Sequence, residues 1–212
     1  MRSDMNDKLT NPELAQIEIT GMTRSSFLVR SALAAGAVYG TATVTPFVSR
    51  ALAQGGDVDI LNFALTLEYL EEAYYDMGLK SLSLSSEIKA LATEIRDNES
   101  AHVDALTEAI KGAGGKPVQA PGVDFGGAFA DEAAFLKLAQ TFEDTGVSAY
   151  NGAGPAISSP EVLAAAGSIV QVEARHAALI RLANGETPAP DQFDPELGMS
   201  EVLKAVKPFV RG

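Results

Sequence analysis

Two stretches, NESAHVDAL at residues 98–106 and VEARHAALI at residues 172–180, contain the only two histidines of this 212-residue chain. In both, the histidine follows a glutamate by three positions, which gives Glu99-x-x-His102 and Glu173-x-x-His176. Only 16 residues are glutamates, so finding this arrangement at both histidines is an uncommon coincidence. Residues three apart on a helix lie on one face, about 5–6 Å apart at Cβ. Each pair can therefore present a carboxylate and an imidazole to one metal ion.

The apolar residues around these pairs recur with the period of a helix in four segments. The predicted helices span residues 57–80, 86–111, 131–151 and 160–183, and Ser159 before Pro160 is typical of a helix start. Short connections join the first helix to the second and the third to the fourth. The segment 112–130, rich in Gly and Pro, is expected to lack regular structure.

The length of this segment suits one particular arrangement of the four helices. A helix of 24 residues is about 36 Å long, and about 17 extended residues reach about 55 Å. The segment can therefore run the whole length of a bundle. The sequence predicts an all-α fold, a four-helix bundle with one long crossover between helices 2 and 3, followed by a short C-terminal helix.

The two halves of the predicted bundle resemble each other. Thr66-Leu67-Glu68 in the first helix matches Thr141-Phe142-Glu143 in the third, and a tyrosine follows each glutamate seven positions later. These tyrosines are Tyr75 and Tyr150. An approximate internal duplication therefore adds one glutamate to each Glu-x-x-His pair.

Six candidate ligands result from this duplication: Glu68, Glu99, His102, Glu143, Glu173 and His176. A single Glu-x-x-His is usually a solvated surface pair. Here the neighbouring positions on each helix face are apolar, and four buried carboxylates are very costly without partners. Two divalent cations would offset their charge of −4, and carboxylate with imidazole suits iron or manganese. The sequence therefore predicts a centre of two Fe or two Mn ions.

Three further residues are weaker candidates for the surroundings of this centre. Glu72 lies one turn after Glu68. It is a candidate for a seventh or bridging ligand, for a neighbour of the ligands or for an outward-facing acid. Tyr75 and Tyr150 are candidates to hydrogen-bond the ligands or carry an electron, or are ordinary core tyrosines. Gly146 opens space for a small oxidant or allows close helix packing.

Residues 57–212 resemble the ferritin-like superfamily, and most of all the exported bacterial ferritin-like domain proteins grouped with plant desiccation-related proteins. LNFALTLEYLEEAYY at 61–75, the two Glu-x-x-His helices and SEVLKAVKPFV at 200–210 carry this likeness. The resemblance implies a di-metal site at the same six residues and no settled reaction.

The N-terminal residues 1–53 have the layout of an export signal. TRSSFLVR at 23–30 resembles a twin-arginine signal, except that Ser25 occupies the position of the second arginine. A mildly apolar run follows, with Ala51-Leu52-Ala53 at a cleavage frame. The alternative is a membrane anchor, for which the Gly, Thr and Pro of this run are poorly suited. We expect cleavage, a periplasmic or otherwise exported protein without a stable membrane anchor, a bundle at 54–185 and a tail at 186–212.

The amino-acid composition excludes several classes of function. The net charge of −12, with no basic stripe, argues against nucleic-acid binding. The absence of cysteine excludes disulfides, thiolate zinc sites, iron–sulfur clusters and a rubredoxin module. The leading hypothesis is a redox protein that reacts with peroxide or O2 by catalase-like or ferroxidase-like chemistry. The alternative is a non-enzymatic, stress-protective or metal-sequestering bundle with a structural metal. A monomer or a homodimer would favour an enzyme, whereas a large shell would favour iron storage.

Overall fold

The computed structural model describes residues 56–211, so the expected export signal at 1–53 lies outside the described residues. Within them the chain forms five α-helices: α1 (Asp57–Ser81), α2 (Ser86–Gly112), α3 (Glu132–Ala153), α4 (Pro160–Ala183) and α5 (Met199–Val206). The predicted all-α fold with a short C-terminal helix is confirmed. None of these helices is long and apolar enough to cross a membrane.

Local chemistry fixes where the helices of the second hairpin begin. The Asp131 carboxylate accepts a hydrogen bond of 2.8 Å from the backbone N–H of Ala134 at the start of α3. The Ser159 hydroxyl accepts one of 3.2 Å from the N–H of Val162, and Pro160 is the first residue of α4. Each side chain accepts a hydrogen bond from a backbone N–H of the first helical turn, which has no partner within the helix.

Contacts between α1 and α3 give the direction of the helices. Tyr75 on α1 hydrogen-bonds to Glu143 on α3, and Tyr150 on α3 hydrogen-bonds to Glu68 on α1. Residue numbers therefore fall along α3 as they rise along α1, so these helices are antiparallel. A four-residue turn at 82–85 also makes α2 antiparallel to α1. It follows that α2 and α3 are parallel, as a long crossover requires.

The crossover is attached to α1 near both of its ends. The Asn62 side chain donates to the carbonyl of Lys116 at 3.2 Å and accepts from the N–H of Val118 at 2.8 Å. Three turns further along α1, the Tyr74 ring contacts Phe125 and Phe129 of the crossover, with ring centroids 5.0 and 5.4 Å apart. The crossover therefore runs along α1, as the length argument predicted.

The expectation that the crossover lacks regular structure is wrong for two short pieces. Its residues Gly122–Val123 form strand β1, which pairs antiparallel with the C-terminal strand β2 (Val210–Arg211). A 3₁₀ turn, Gly126–Phe129, follows β1. The strand pairing ties the crossover to the end of the chain.

The tail between α4 and α5 packs against α3. The N–H of Leu197 donates to the carbonyl of Ser148 at 2.9 Å. A Cβ at Gly152 would lie 2.1 Å from the Leu197 carbonyl oxygen, so only glycine allows the tail to come this close. Val202 and Val206 of α5 are buried in the same apolar core as Tyr74 and Phe142.

Candidate metal centre

The six predicted ligands converge inside the bundle. Glu68 lies on α1, Glu143 on α3, and one Glu-x-x-His pair on each of α2 and α4. All four glutamates are 0% exposed, His102 is 8% exposed and His176 is 3% exposed. Apolar residues one turn away on the same helices, namely Leu65, Ile95, Leu106, Ile169 and Ile180, are also buried. The carboxylates therefore face an apolar interior in which an unpaired charge is costly.

The ligands form two overlapping groups. Glu68, Glu99, His102 and Glu173 make up the first, and Glu99, Glu143, Glu173 and His176 make up the second. In each group the candidate ligand atoms all lie within 4.8 Å of one another. Since Glu99 and Glu173 belong to both groups, the arrangement is compatible with two neighbouring metal positions that share these two carboxylates.

Both imidazoles turn Nδ1 toward the carboxylates. His102 Nδ1 lies 3.0 Å from Glu99 Oε2, 3.2 Å from Glu68 Oε2 and 3.0 Å from Glu173 Oε1. His176 Nδ1 lies 2.9 Å from Glu99 Oε1 and 3.5 Å from Glu143 Oε2. Nδ1 is therefore the nitrogen that each histidine would offer to a metal.

Several of these atoms come close to one another without forming a hydrogen bond. Among the described residues, the buried atoms without a hydrogen-bond partner include Glu99 Oε1, Glu143 Oε2, both carboxylate oxygens of Glu173 and His176 Nδ1. His176 Nδ1 and Glu99 Oε1 are 2.9 Å apart, yet their directions do not suit a hydrogen bond. Buried polar atoms are normally satisfied. A set of unsatisfied acceptors and one imidazole nitrogen around a common point fits a metal ion.

The pKa values reflect the crowding of negative charge. Burial lowers the pKa of both imidazoles, but the carboxylates around them outweigh burial and raise the pKa of His102 and of His176 to about 12. Burial raises the pKa of Glu143 to about 8, against the opposing effect of His176. Burial raises the pKa of Glu99, but the two adjacent histidines outweigh burial and lower this pKa to about 2. Without a metal, protons on the histidines supply positive charge among the carboxylates.

Two tyrosines hydrogen-bond to Glu68 and Glu143, the two glutamates that each belong to only one of the ligand groups. The Tyr150 hydroxyl donates to Glu68 Oε1 at 2.5 Å, and the Tyr75 hydroxyl donates to Glu143 Oε1. Burial, followed by the charge of the adjacent glutamate, raises the pKa of both phenols well above the usual value, so both remain protonated donors. Of the alternatives that the sequence left open for Tyr75 and Tyr150, a hydrogen bond to a candidate ligand is the one observed.

Asn98 is a neighbour of the centre that the sequence did not single out. Its amide Nδ2 lies 3.1 Å from Nε2 of His176, the ring nitrogen on the far side from the carboxylates. The aligned position before the other Glu-x-x-His pair is Val172, which has no polar side chain. The two histidines are therefore not equivalent.

Glu72 does not join the centre. It is only half-buried and lines a surface cavity together with Tyr69, Asp76 and Arg96. The adjacent Glu71 is 3% exposed, and burial raises its pKa well above the usual value, followed by the charges of Glu173 and Glu99. Of the two adjacent glutamates, Glu71 is therefore the one inside the bundle.

Gly146 explains why Glu71 fits. A Cβ at position 146 would lie 3.1 Å from Glu71 Oε1 and 3.6 Å from Glu173 Oε2. Gly146 follows Glu143 by three residues, as Glu71 follows Glu68, so the two occupy equivalent positions in the duplication. This alignment of a glutamate with a glycine is the sequence signal that could have identified Glu71.

Fold and site together define a four-helix bundle with a buried carboxylate and histidine cluster compatible with a di-metal site. A family model described as the ferritin-like domain matches residues 56–186. The chain belongs to this ferritin-like domain family, and the resemblance to the superfamily is confirmed. A comparison with curated proteins finds no match.

Proposed function

We propose that this protein is a di-metal carboxylate protein that binds two Fe or two Mn ions and reacts with peroxide or O2 in a catalase-like or ferroxidase-like reaction. The observation that carries the proposal is the pair of overlapping ligand groups sharing Glu99 and Glu173, with unsatisfied buried oxygens between them. Iron or manganese, when bound, supplies the change of oxidation state on which such chemistry depends.

The residues around the ligands support this function in two ways. The apolar interior excludes bulk water and strengthens every electrostatic interaction of the four carboxylates. Tyr75 and Tyr150 fix the orientation of Glu143 and Glu68, because each tyrosine hydroxyl donates a hydrogen bond to the carboxylate of one of them. Because cysteine is absent, the chain has no thiolate electron-transfer site of its own. Electrons must come from the metal ions or from an external reductant.

The place of action is part of the proposal. The arginines, apolar run and small residues at 23–53 support export, and a periplasmic or otherwise exported protein would meet oxidants outside the cytoplasm. A stress-protective role follows if the centre consumes peroxide or sequesters iron.

The first experiment measures the metal content of protein purified from its native compartment without added metal. We expect about two Fe or Mn per chain, the stoichiometry of the two-metal carboxylate bundles. A Glu99→Gln, Glu173→Gln double variant should lose both ions, because it replaces the shared carboxylates with neutral groups of similar shape. Glu72→Gln is the matched control and should keep both.

The second experiment mixes the Fe(II)-loaded or Mn(II)-loaded protein with peroxide or with O2 and follows metal oxidation by stopped-flow absorbance. Turnover with either oxidant supports the redox function. Two tightly bound metals, a large increase in melting temperature and no reaction with either oxidant would instead support the structural or sequestering alternative. Retention of both metals by the double variant would refute the site itself.

A further inference from the structure

An apolar cavity lies beside the candidate centre, among α1, α2, α3 and α4. Its volume is about 20 Å³. Eleven residues line it, and they include Leu61, Ala64, Leu67, Leu106, Ala149 and Tyr150. Nearly all of them are buried, so the cavity belongs to the interior of the bundle. About 10–15 Å³ of such volume is enough for one water molecule. The cavity therefore has room for one small molecule.

The lining excludes water by its chemistry. Tyr150 is the only one of the eleven lining residues with a polar side chain, and its hydroxyl already donates to Glu68. A buried water needs two to four polar partners. An apolar molecule of similar size loses nothing by leaving water and gains dispersion contacts with the walls. The cavity therefore favours a small apolar guest.

The position of Tyr150 connects the cavity to the ligands. Its ring lines the cavity, and its hydroxyl lies 2.5 Å from Oε1 of Glu68. Leu67, the residue before Glu68, lines the cavity as well. The Tyr150 side chain thus contacts both the cavity and a candidate ligand.

The cavity approaches the surface beside the α3–α4 connection. Ala153 and Ile157 line it there, and both are only half-buried. They flank the 3₁₀ turn Gly154–Ala156 between α3 and α4. The lining of the cavity therefore comes nearest to solvent beside this connection, where its two half-buried residues lie.

We propose that the cavity is a binding site for O2, on a path from the α3–α4 connection to the di-metal centre. This inference rests on the proposed function and makes it more specific, because it selects O2 over peroxide as the oxidant that uses this path. Hydrogen peroxide has two O–H groups and would have to give up its hydrogen bonds with water to enter an apolar cavity, which is unfavourable. O2 has no such hydrogen bonds to lose.

The test fills the cavity by Ala64→Leu on α1. Ala73→Leu, on the same helix but at a half-buried position beside the surface cavity of Glu72, is the matched control. Ala166→Leu fills the cavity from α4 and serves if Ala64→Leu does not fold. Xenon, an apolar probe, is applied to crystals of each protein under pressure, and the rates of Fe(II) oxidation by O2 and by hydrogen peroxide are measured separately.

We expect xenon between Leu61, Ala149 and Tyr150 in the wild-type protein and in Ala73→Leu, and none there in Ala64→Leu or Ala166→Leu. Filling the cavity should slow oxidation by O2 about tenfold, while oxidation by peroxide changes less than about twofold. No xenon in the wild-type cavity, or equal slowing with both oxidants, would overturn the inference. Wild-type protein that loads iron and reacts with neither oxidant would instead refute the proposed function, whatever the xenon result.

Discussion

The Tyr150 hydroxyl on α3 donates a hydrogen bond of 2.5 Å to Glu68 on α1, and the Tyr75 hydroxyl on α1 donates to Glu143 on α3. Each tyrosine therefore serves the glutamate of the other half of the duplication. Glu68 belongs to one candidate ligand group and Glu143 to the other. The two hydrogen bonds thus connect the hairpins directly at the centre.

Tyr150→Phe should weaken both the fold and the metal site. Burial raises the pKa of Glu68 well above its usual value, which favours the neutral acid in the metal-free protein. A hydrogen bond to a neutral group contributes about 0.5–1.5 kcal/mol, so we expect the metal-free variant to lose about that much free energy of unfolding in urea. Because Glu68 loses its orienting donor, affinity for Mn(II), followed by calorimetric titration, should fall as well.

Tyr74→Phe is the control for Tyr150→Phe. The Tyr74 hydroxyl donates to the backbone carbonyl of Phe135 at 2.6 Å, away from the ligands. Its removal should lower the free energy of unfolding but leave the Mn(II) affinity unchanged. If the Mn(II) affinity falls by the same factor in both variants, Tyr150 affects metal binding only through the general stability of the fold.

Glu71→Gln and Glu72→Gln form a second matched pair. Burial raises the pKa of Glu71, so its ionisation destabilises the fold progressively as the pH rises above about 4.5, the ordinary glutamate value. Glutamine has the shape of the protonated acid and removes this penalty. The metal-free Glu71→Gln protein should therefore be more stable than wild type at pH 8 and similar at pH 4.5.

Glu72→Gln should change the free energy of unfolding little at either pH, because surface substitutions are usually within about 0.5 kcal/mol. Urea denaturation of both variants and of wild type, in the presence of a chelator, gives the comparison. A Glu71→Gln protein that is less stable than wild type at pH 8 would show that the Glu71 carboxylate has a stabilising partner.

The convergence of the six ligands could be predicted because it depends only on helical period and duplication. Glu99 and His102 share a face of α2 because residues three apart on a helix always do. The repeat places Glu173 and His176 on the equivalent face of α4. The length of the crossover also allowed it to run along the bundle. These features come from regular geometry, which a sequence pattern records directly.

The choice between Glu71 and Glu72 could not be made from the α1 pattern, because both lie close to the direction of Glu68 around the helix. The neighbouring helix α3 determines which of the two glutamates is buried, because Gly146 on α3 leaves room for the Glu71 carboxylate. The pairing of β1 with β2 was missed for a similar reason. Strands of two residues have no period, and their partners lie at distant positions in the chain.

The stability of the metal-free protein should fall as the pH rises through neutrality. His102 and His176 have pKa values of about 12 in the fold and an ordinary value of 6.5. Their stabilising contribution is thus complete below about pH 6.5 and is lost progressively up to about pH 12. Glu143, with its pKa raised to about 8, adds a penalty that grows between about pH 4.5 and 8. The Glu99 contribution to stability has the opposite pH dependence, because it increases as the pH rises, but only between about pH 2 and 4.5.

Metal binding should reverse this pH dependence, because the ligands must lose their protons before they bind. We expect Mn(II) uptake to release protons and the Mn(II) affinity to increase from pH 6 to pH 8. Calorimetry in two buffers of different ionisation enthalpy counts the protons, and urea denaturation with chelator at pH 5.5 and 8.5 follows the metal-free form. Metal uptake without proton release would contradict the protonated state of the two histidines.

Asn98 should make the two metal positions unequal. When His176 binds a metal through Nδ1, its Nε2 carries a hydrogen and needs an acceptor, which the Asn98 amide provides through Oδ1 after a flip of the side-chain amide. Loss of such a partner typically costs about 10–100-fold in metal affinity. Asn98→Leu should therefore weaken only one of two Mn(II) binding steps, whereas Asn98→Asp, a stronger acceptor, should retain it. Val172→Leu, at the aligned position beside the other Glu-x-x-His pair, should leave both steps unchanged. Equal weakening of both steps by Asn98→Leu would mean that Asn98 supports α2 as a whole rather than orienting His176.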